Sequence, residues 1–304
     1  MSGIAALVRV GRGDVVSDVE PPQWTRVGGG RAKRTPLAMS SDADFNDSEV
    51  VREVATSRDG TRVPVDVLRR KGTRLDGRNP VLLTIAGATP EFDATRRAWL
   101  DRGGVVALAT PRTRTQDAPD DFIAAAEFLV RRGYTQPSLL GLLGRGDGAR
   151  VVGTALTRRP ELFRAAVCIA GRYDMLRPER EPGDEVDVPQ DRAQFDALVA
   201  TSPLRAVRDG VDYPAVLLLA GEHDGRVDPA QSRRMAARLQ QADPDGRTIL
   251  ILTDESIGQS AQASLAGSVD QATDVLGFLL HEIVAAQRGV ARNEKGGHGA
   301  SFAG

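Results

Sequence analysis

The apolar run SLLGLL leads into the glycine-framed turn Gly144-Arg145-Gly146-Asp147-Gly148 and then into the amphipathic segment GARVVGTALTRRP. A strand that bends sharply into a helix displays the central residue of the bend. The unpaired N–H groups at the helix start favour negative charge there. The central residue is Gly146, which offers no side chain. Its neighbours Arg145 and Asp147 read either as a solvent-facing ion pair or as donor and acceptor for a polar or anionic ligand. A second chemistry-bearing stretch, His223-Asp224-Gly225-Arg226-Val227, follows the apolar run YPAVLLLAG. Its carboxylate could act as an acid or base and its guanidinium could bind an anion.

Other reactive side chains are few. The chain has three histidines and one cysteine in 304 residues. Cys168 lies in AAVCIAG and reads as a buried core thiol on a different strand from the turn. One cysteine excludes an intrachain disulfide and any multi-cysteine metal site. His223 flanks Asp224, His281 sits in the closing segment LLHEIVAA, and His298 falls in the glycine-rich tail KGGHGA. The set Asp147, His223, Asp224 and Asp228 matches no metal-ligand spacing, so neither a metal nor another cofactor is expected.

The elements that must position these residues alternate regularly. EVVREVAT and TRVPVDVLRR flank Asp59-Gly60 and predict a hairpin. PVLLTIAG over 80–87 predicts a strand covered on both faces, followed by a helix through Phe92–Leu100 and the strand GGVVALAT. DAPDDFIAAAEFLVRRG opens with acids and closes with arginines, as an amphipathic helix does. FRAAVCIAG, YPAVLLLAG and TILILT are further strands. Pro229–Ala242 and Ser268–Gln287 are further helices. The alternation predicts an α/β fold with a mostly parallel sheet and helices on both faces. Residues 1–48 read as an irregular arm with one short strand, 49–288 as the domain, and 289–304 as a flexible tail. Arg177–Gln194, rich in Pro, Asp and Glu, reads as a long loop.

In register over roughly residues 49–285, the chain resembles the catalytic domain of the prolyl oligopeptidase family, serine peptidases of the α/β-hydrolase fold. The likeness is carried by GRGDGARVVGTALTRRPELFRAAVCIAGRYDML, by YPAVLLLAGEHDGRVDPAQSRRMAARLQ, and by SRDGTRVPVDVLRRKGTRLDGRNPVLLTIAGA. No counterpart of the family's propeller domain is expected in this sequence. The resemblance places the serine position of the G-x-S-x-G elbow on Gly146 and the triad aspartate on Asp224. It places the histidine position near Gln259, which cannot act as a general base at neutral pH. The tyrosine that supports the oxyanion falls on Ile85. Arg226 matches an arginine that in some relatives contacts a substrate carboxylate. The Arg-Gly-Gly loop after the second central strand is shortened to Pro111-Arg112-Thr113-Arg114-Thr115.

The expectation is therefore a catalytically degenerate hydrolase domain that binds a ligand or a protein. The candidate ligand-binding residues are Arg145, Asp147, Arg226 and Ile85. Two alternatives stand beside it: a repurposed isomerase, cyclase or lyase using Asp224 with arginines, and a residual peptidase or esterase. Expected partners are a small polar or anionic ligand, and a second copy or an active hydrolase. Forty Lys+Arg against 41 Asp+Glu give a net charge of −1, which argues against nucleic acid or an anionic membrane as a bulk partner. No apolar run is long enough to span a bilayer, and MSGIAALVRVGRGDVV lacks the pattern of a secretion signal. The expected location is cytoplasmic.

Overall fold

The computed structural model describes residues 6–10, 23–28, 31–38, 41–86, 93–112, 116–176, 191–222, 224–255, 257 and 265–285. Eight strands form one mixed sheet: β4 (Ser48–Thr56), β5 (Arg62–Arg70), β6 (Val81–Ile85), β7 (Val105–Ala109), β8 (Leu140–Arg145), β9 (Ala165–Ile169), β10 (Ala215–Gly221) and β11 (Ile249–Asp254). Their order is β11-β10-β9-β8-β6-β7-β5-β4. The six strands β6 to β11 run parallel to one another. β5 pairs antiparallel with both β7 and β4. This is the expected mostly parallel α/β-hydrolase sheet, opened by the expected hairpin.

Side-chain alternation explains why the sheet is covered on both faces. Every residue of β7, β9 and β10 is buried. Val65, Leu83, Leu142, Cys168 and Leu218 face one core, shared with α2 (Ala118–Arg131), α3 (Asp147–Arg158) and α6 (Pro229–Ala242). Leu82, Val106, Val167 and Leu217 face the other, closed by α1 (Thr95–Leu100) and α7 (Leu265–Leu279). A π-helical turn, Leu280–Ala285, continues α7. The helix starts follow chemistry that the sequence displays. Asp228 accepts the Ala230 N–H ahead of Pro229 in α6, and α2 carries Pro119, Asp120 and Asp121 in its first turn.

Two elements depart from expectation. The described residues of the 1–48 segment hold more than the single short strand expected. They hold β1 (Ala6–Val10), β2 (Gln23–Gly28) and β3 (Arg31–Ala38), paired antiparallel as a separate three-stranded sheet. The reason is readable in retrospect: β2 and β3 are only two glycines apart, the spacing of a tight hairpin. Two short helices, α4 (Arg192–Ala200) and α5 (Pro203–Ala206), follow the acidic Pro-rich stretch. α4 buries no residue, so it leaves no apolar stripe in the sequence. Its one local signal is Asp191, whose side chain accepts the Gln194 N–H. The tail 289–304 and most of the long loop lie outside the described residues. Among the described residues, no helix is long and apolar enough to cross a membrane.

Candidate functional site

The carboxyl ends of parallel strands are where such sheets collect functional groups. At that edge β8 ends in Arg145 and α3 begins at Asp147, with Gly146 alone between them. Gly146 adopts φ 57° and ψ −121°, a backbone state that L side chains adopt only under strain. Its N–H donates to the Ile169 carbonyl of β9 at 2.8 Å, and its own carbonyl accepts from Ala149 N at 3.0 Å. The bend is thus held on both sides, by the neighbouring strand and by the first turn of the helix. Gly146 itself is buried, while Arg145 and Asp147 are exposed on either side of it.

Arg145 is tied across the sheet. Its Nη2 donates to Oε1 of Gln271 on α7. Ile85 closes β6 beside the bend: a methyl group built on Gly148 would meet Ile85 Cδ1 at 3.4 Å. The structure therefore brings together Ile85, Arg145, Gly146 and Asp147 around the start of α3.

Asp224 follows the end of β10, half-buried, in a tight turn where its Oδ1 accepts the Arg226 N–H at 2.9 Å. The exposed Arg226 offers its carbonyl to Arg172 Nη2 at 3.3 Å, and Arg172 comes from the loop after β9. Gly221 permits a close approach here, because any Cβ at that position would stand 1.9 Å from the Ile257 carbonyl. The segment after β11 thus passes directly over the end of β10. Gln259 belongs to that segment but lies outside the described residues, as do His223 and His298.

Cys168 pairs in register with Gly144, immediately beneath the bend. Its Sγ donates to the Ala149 carbonyl at 3.8 Å, and burial pushes the thiol up to about 12. A thiol held there is protonated at neutral pH and is no nucleophile. Among the described residues, no group of three His, Cys, Asp or Glu side chains is placed to hold a metal ion.

Three supporting contacts escaped the sequence reading. Gln231 of α6, fully buried, accepts the N–H groups of Tyr173 and Asp174 at 3.0 and 2.9 Å. Arg112 grips the buried Asp121 at 2.8 Å through Nη2, and Asp121 Oδ2 takes the Arg112 backbone N–H at 3.0 Å. This pair fixes the start of the loop after β7; Thr113 to Thr115 lie outside the described residues. Gln271 is the third. Nothing in sequence spacing signals any of them: the Gln231 and Gln271 contacts join elements distant along the chain, and Arg112 and Asp121 stand nine residues apart at no helical or strand period.

The arrangement can bind charge and hold a rigid bend, but Gly146 supplies no attacking atom. Comparison with known proteins accounts for the framework. The model of the prolyl oligopeptidase family matches residues 90–284. A prolyl endopeptidase of Elizabethkingia miricola is 30% identical over 267 residues, covering 79% of this chain and 38% of that protein. Prolyl oligopeptidase A of Galerina marginata is 30% identical over 295 residues, covering 88% and 39%. A solved prolyl endopeptidase structure superposes with a TM-score of 0.82 at 30% identity, covering 93% of this chain and 47% of that one. The chain thus spans about two fifths of the length of the curated relatives it matches.

Proposed function

The chain belongs to the prolyl oligopeptidase family, and on that premise we propose that it is a catalytically degenerate member, a ligand-binding or protein-interaction module built on a hydrolase framework. The observation that carries this reading is Gly146. The bend where a nucleophile would stand keeps its positive-φ backbone and both of its hydrogen-bonded anchors, yet the residue in it has no side chain. Gln259 at the expected base position and Ile85 at the expected oxyanion-tyrosine position point the same way. The relatives are named as peptidases, so loss of hydrolysis is a departure of this chain within its family.

The test is covalent. A fluorophosphonate probe labels an activated serine, and this chain should show no stoichiometric labelling beside a prolyl endopeptidase control. One labelled site per chain would overturn the reading and favour a residual peptidase. The binding half is tested with citrate and inorganic phosphate as probes. Arg145, Arg226 and the N–H groups at the start of α3 are the donors for such anions, with Asp147 at the rim. Either anion at saturating concentration should raise the unfolding midpoint, and Arg226→Ala should abolish the rise.

A second reading rests on Asp224, which retains both its turn and its arginine neighbour. A carboxylate freed from a histidine can serve as acid or base in an isomerisation, cyclisation or elimination. An Asp224→Asn chain that fully complements its deletion strain would dismiss this alternative.

A further inference from the structure

The sheet order β10-β9-β8 puts the end of β9 between the strand that leads to Asp224 and the strand that leads to Gly146. That end is tied to both neighbours. The Ile169 carbonyl takes the Gly146 N–H at 2.8 Å, and the Ala170 N–H donates to the Leu219 carbonyl of β10 at 2.9 Å. The segment leaving this point is the middle of the candidate site.

The segment is held from several sides. Ala170 adopts φ 49°, the left-handed region that a residue with a Cβ enters only at a cost. Gly171 packs so closely that a Cβ there would stand 2.4 Å from Tyr173 Oη and 2.8 Å from Ala149 Cβ. Gln231 takes the Tyr173 and Asp174 N–H groups, and the Tyr173 carbonyl accepts the Leu204 N–H at 3.0 Å. The Met175 N–H donates to Ser202 Oγ at 2.9 Å. Residues 169–174 are buried except Arg172, which is half-buried.

The charge of Arg172 has no counterpart of the kind its neighbours have. Arg164 is ion-paired with Glu282 at 3.2 Å and Arg205 with Asp174 at 3.1 Å. Among the described residues no carboxylate does the same for Arg172, whose Nη2 donates to the Arg226 carbonyl at 3.3 Å, a long bond to a neutral acceptor. A guanidinium keeps its charge in any protein setting and offers a planar fork of N–H donors that fits two oxygens at once.

We propose that Arg172 is a specificity-determining residue of the ligand site, seating one oxyanion, the carboxylate or phosphate group of a small ligand, beside the turn that carries Asp224 and Arg226. The inference rests on the anion-binding reading above and deepens it: the sequence pointed to arginines after β8 and β10, and the fold adds one after β9, between them. Because the backbone beneath Arg172 is already fixed, binding orders a side chain and not a loop.

Isothermal titration with citrate and with inorganic phosphate, at low ionic strength, tests it. The chain should bind at least one of them; citrate alone identifies a carboxylate ligand, phosphate alone a phosphate ligand. Arg172→Gln keeps an N–H donor for the Arg226 carbonyl and removes the charge. It should weaken binding by about tenfold or more, with an unchanged unfolding midpoint in the absence of anion. Arg172→Lys keeps the charge but loses the fork, and should weaken binding by a smaller factor. Equal affinity in Arg172→Gln and the unaltered chain would overturn the proposal; if Arg226→Ala still abolished binding, the anion-binding reading would stand without it. Binding of neither anion would remove both. Faster hydrogen exchange at residues 224–227 in Arg172→Gln would make Arg172 a brace for that turn and overturn its role as a ligand donor. Should Arg172→Gln fold poorly, Arg172→Lys decides, and an affinity equal to that of the unaltered chain would overturn the proposal.

Discussion

At the scale of single residues, the bend around Gly146 separates geometry from chemistry. Its φ of 57° is costly for any residue with a Cβ, by roughly 1–3 kcal/mol. In a working hydrolase the surrounding fold bears that cost for the sake of the nucleophile; here glycine relieves it. Gly146→Ser should therefore lower stability by about 1–2 kcal/mol, read as a fall of several degrees in the unfolding midpoint. On the proposed reading, which puts Gln259 at the base position, it should not by itself restore stoichiometric fluorophosphonate labelling. A stable, labelled Gly146→Ser chain would show that a base reaches the bend from elsewhere. Cys168 gives a second check at this scale. Burial holds its thiol near 12, so a disulfide reagent such as DTNB should react with the native chain at least tenfold more slowly than with the unfolded chain. Gly146 and Asp224 were legible because each ends a strongly apolar strand, and the patterning of such strands survives in sequence. Gln231 and Gln271 were not, because a buried or bridging amide is defined by the element it reaches.

At the scale of elements, much of what fixes the carboxyl edge of the sheet is an arginine holding a carboxylate. Burial is the largest influence on Asp121 and pushes its carboxyl up. The lowering influences, led by the hydrogen bond from the Arg112 side chain, together outweigh it and leave the group below the usual carboxylate value of 3.8. Asp59, in the β4–β5 turn, is drawn down to about 2, first by the Thr61 backbone N–H and also by Arg112. Each group is more acidic folded than unfolded. The stability it lends is therefore present above about pH 4 and is lost as the pH falls toward 2. The unfolding midpoint should drop through that window, and the drop should be smaller for Arg112→Ala. The same variant at pH 7 leaves the Asp121 charge buried without its partner. It should lower the unfolding midpoint, by less than breaking a fully buried pair would, because the Arg112 side chain is 31% exposed. A denaturant titration of the two chains at both pH values measures both effects. None of this was legible in advance: Asp121 is one of three acids around the start of a helix, and only the fold reveals that it points inward.

At the scale of the whole molecule, the parallel core was the most legible part and the chain's first segment the least. β6 to β11 are near-continuous apolar runs because both faces are covered, and such runs identify themselves. β1 to β3 alternate more weakly and are interrupted by proline and glycine, which disguised three strands as an arm. Their placement in a separate sheet has a consequence for folding. Every pairing of the eight-stranded sheet falls between Ser48 and Asp254, and among the described residues the buried core runs from Phe45 to Ile283. A chain lacking residues 1–40 removes no strand from that sheet and leaves these core residues in place, a body large enough to fold on its own hydrophobic burial. It should keep its far-UV spectrum and a single cooperative unfolding transition, with the midpoint displaced by no more than a few degrees. Loss of cooperativity on truncation would mean that the three-stranded sheet completes the main core. Retained cooperativity would locate the stability of the molecule in the hydrolase framework that this chain shares with its relatives.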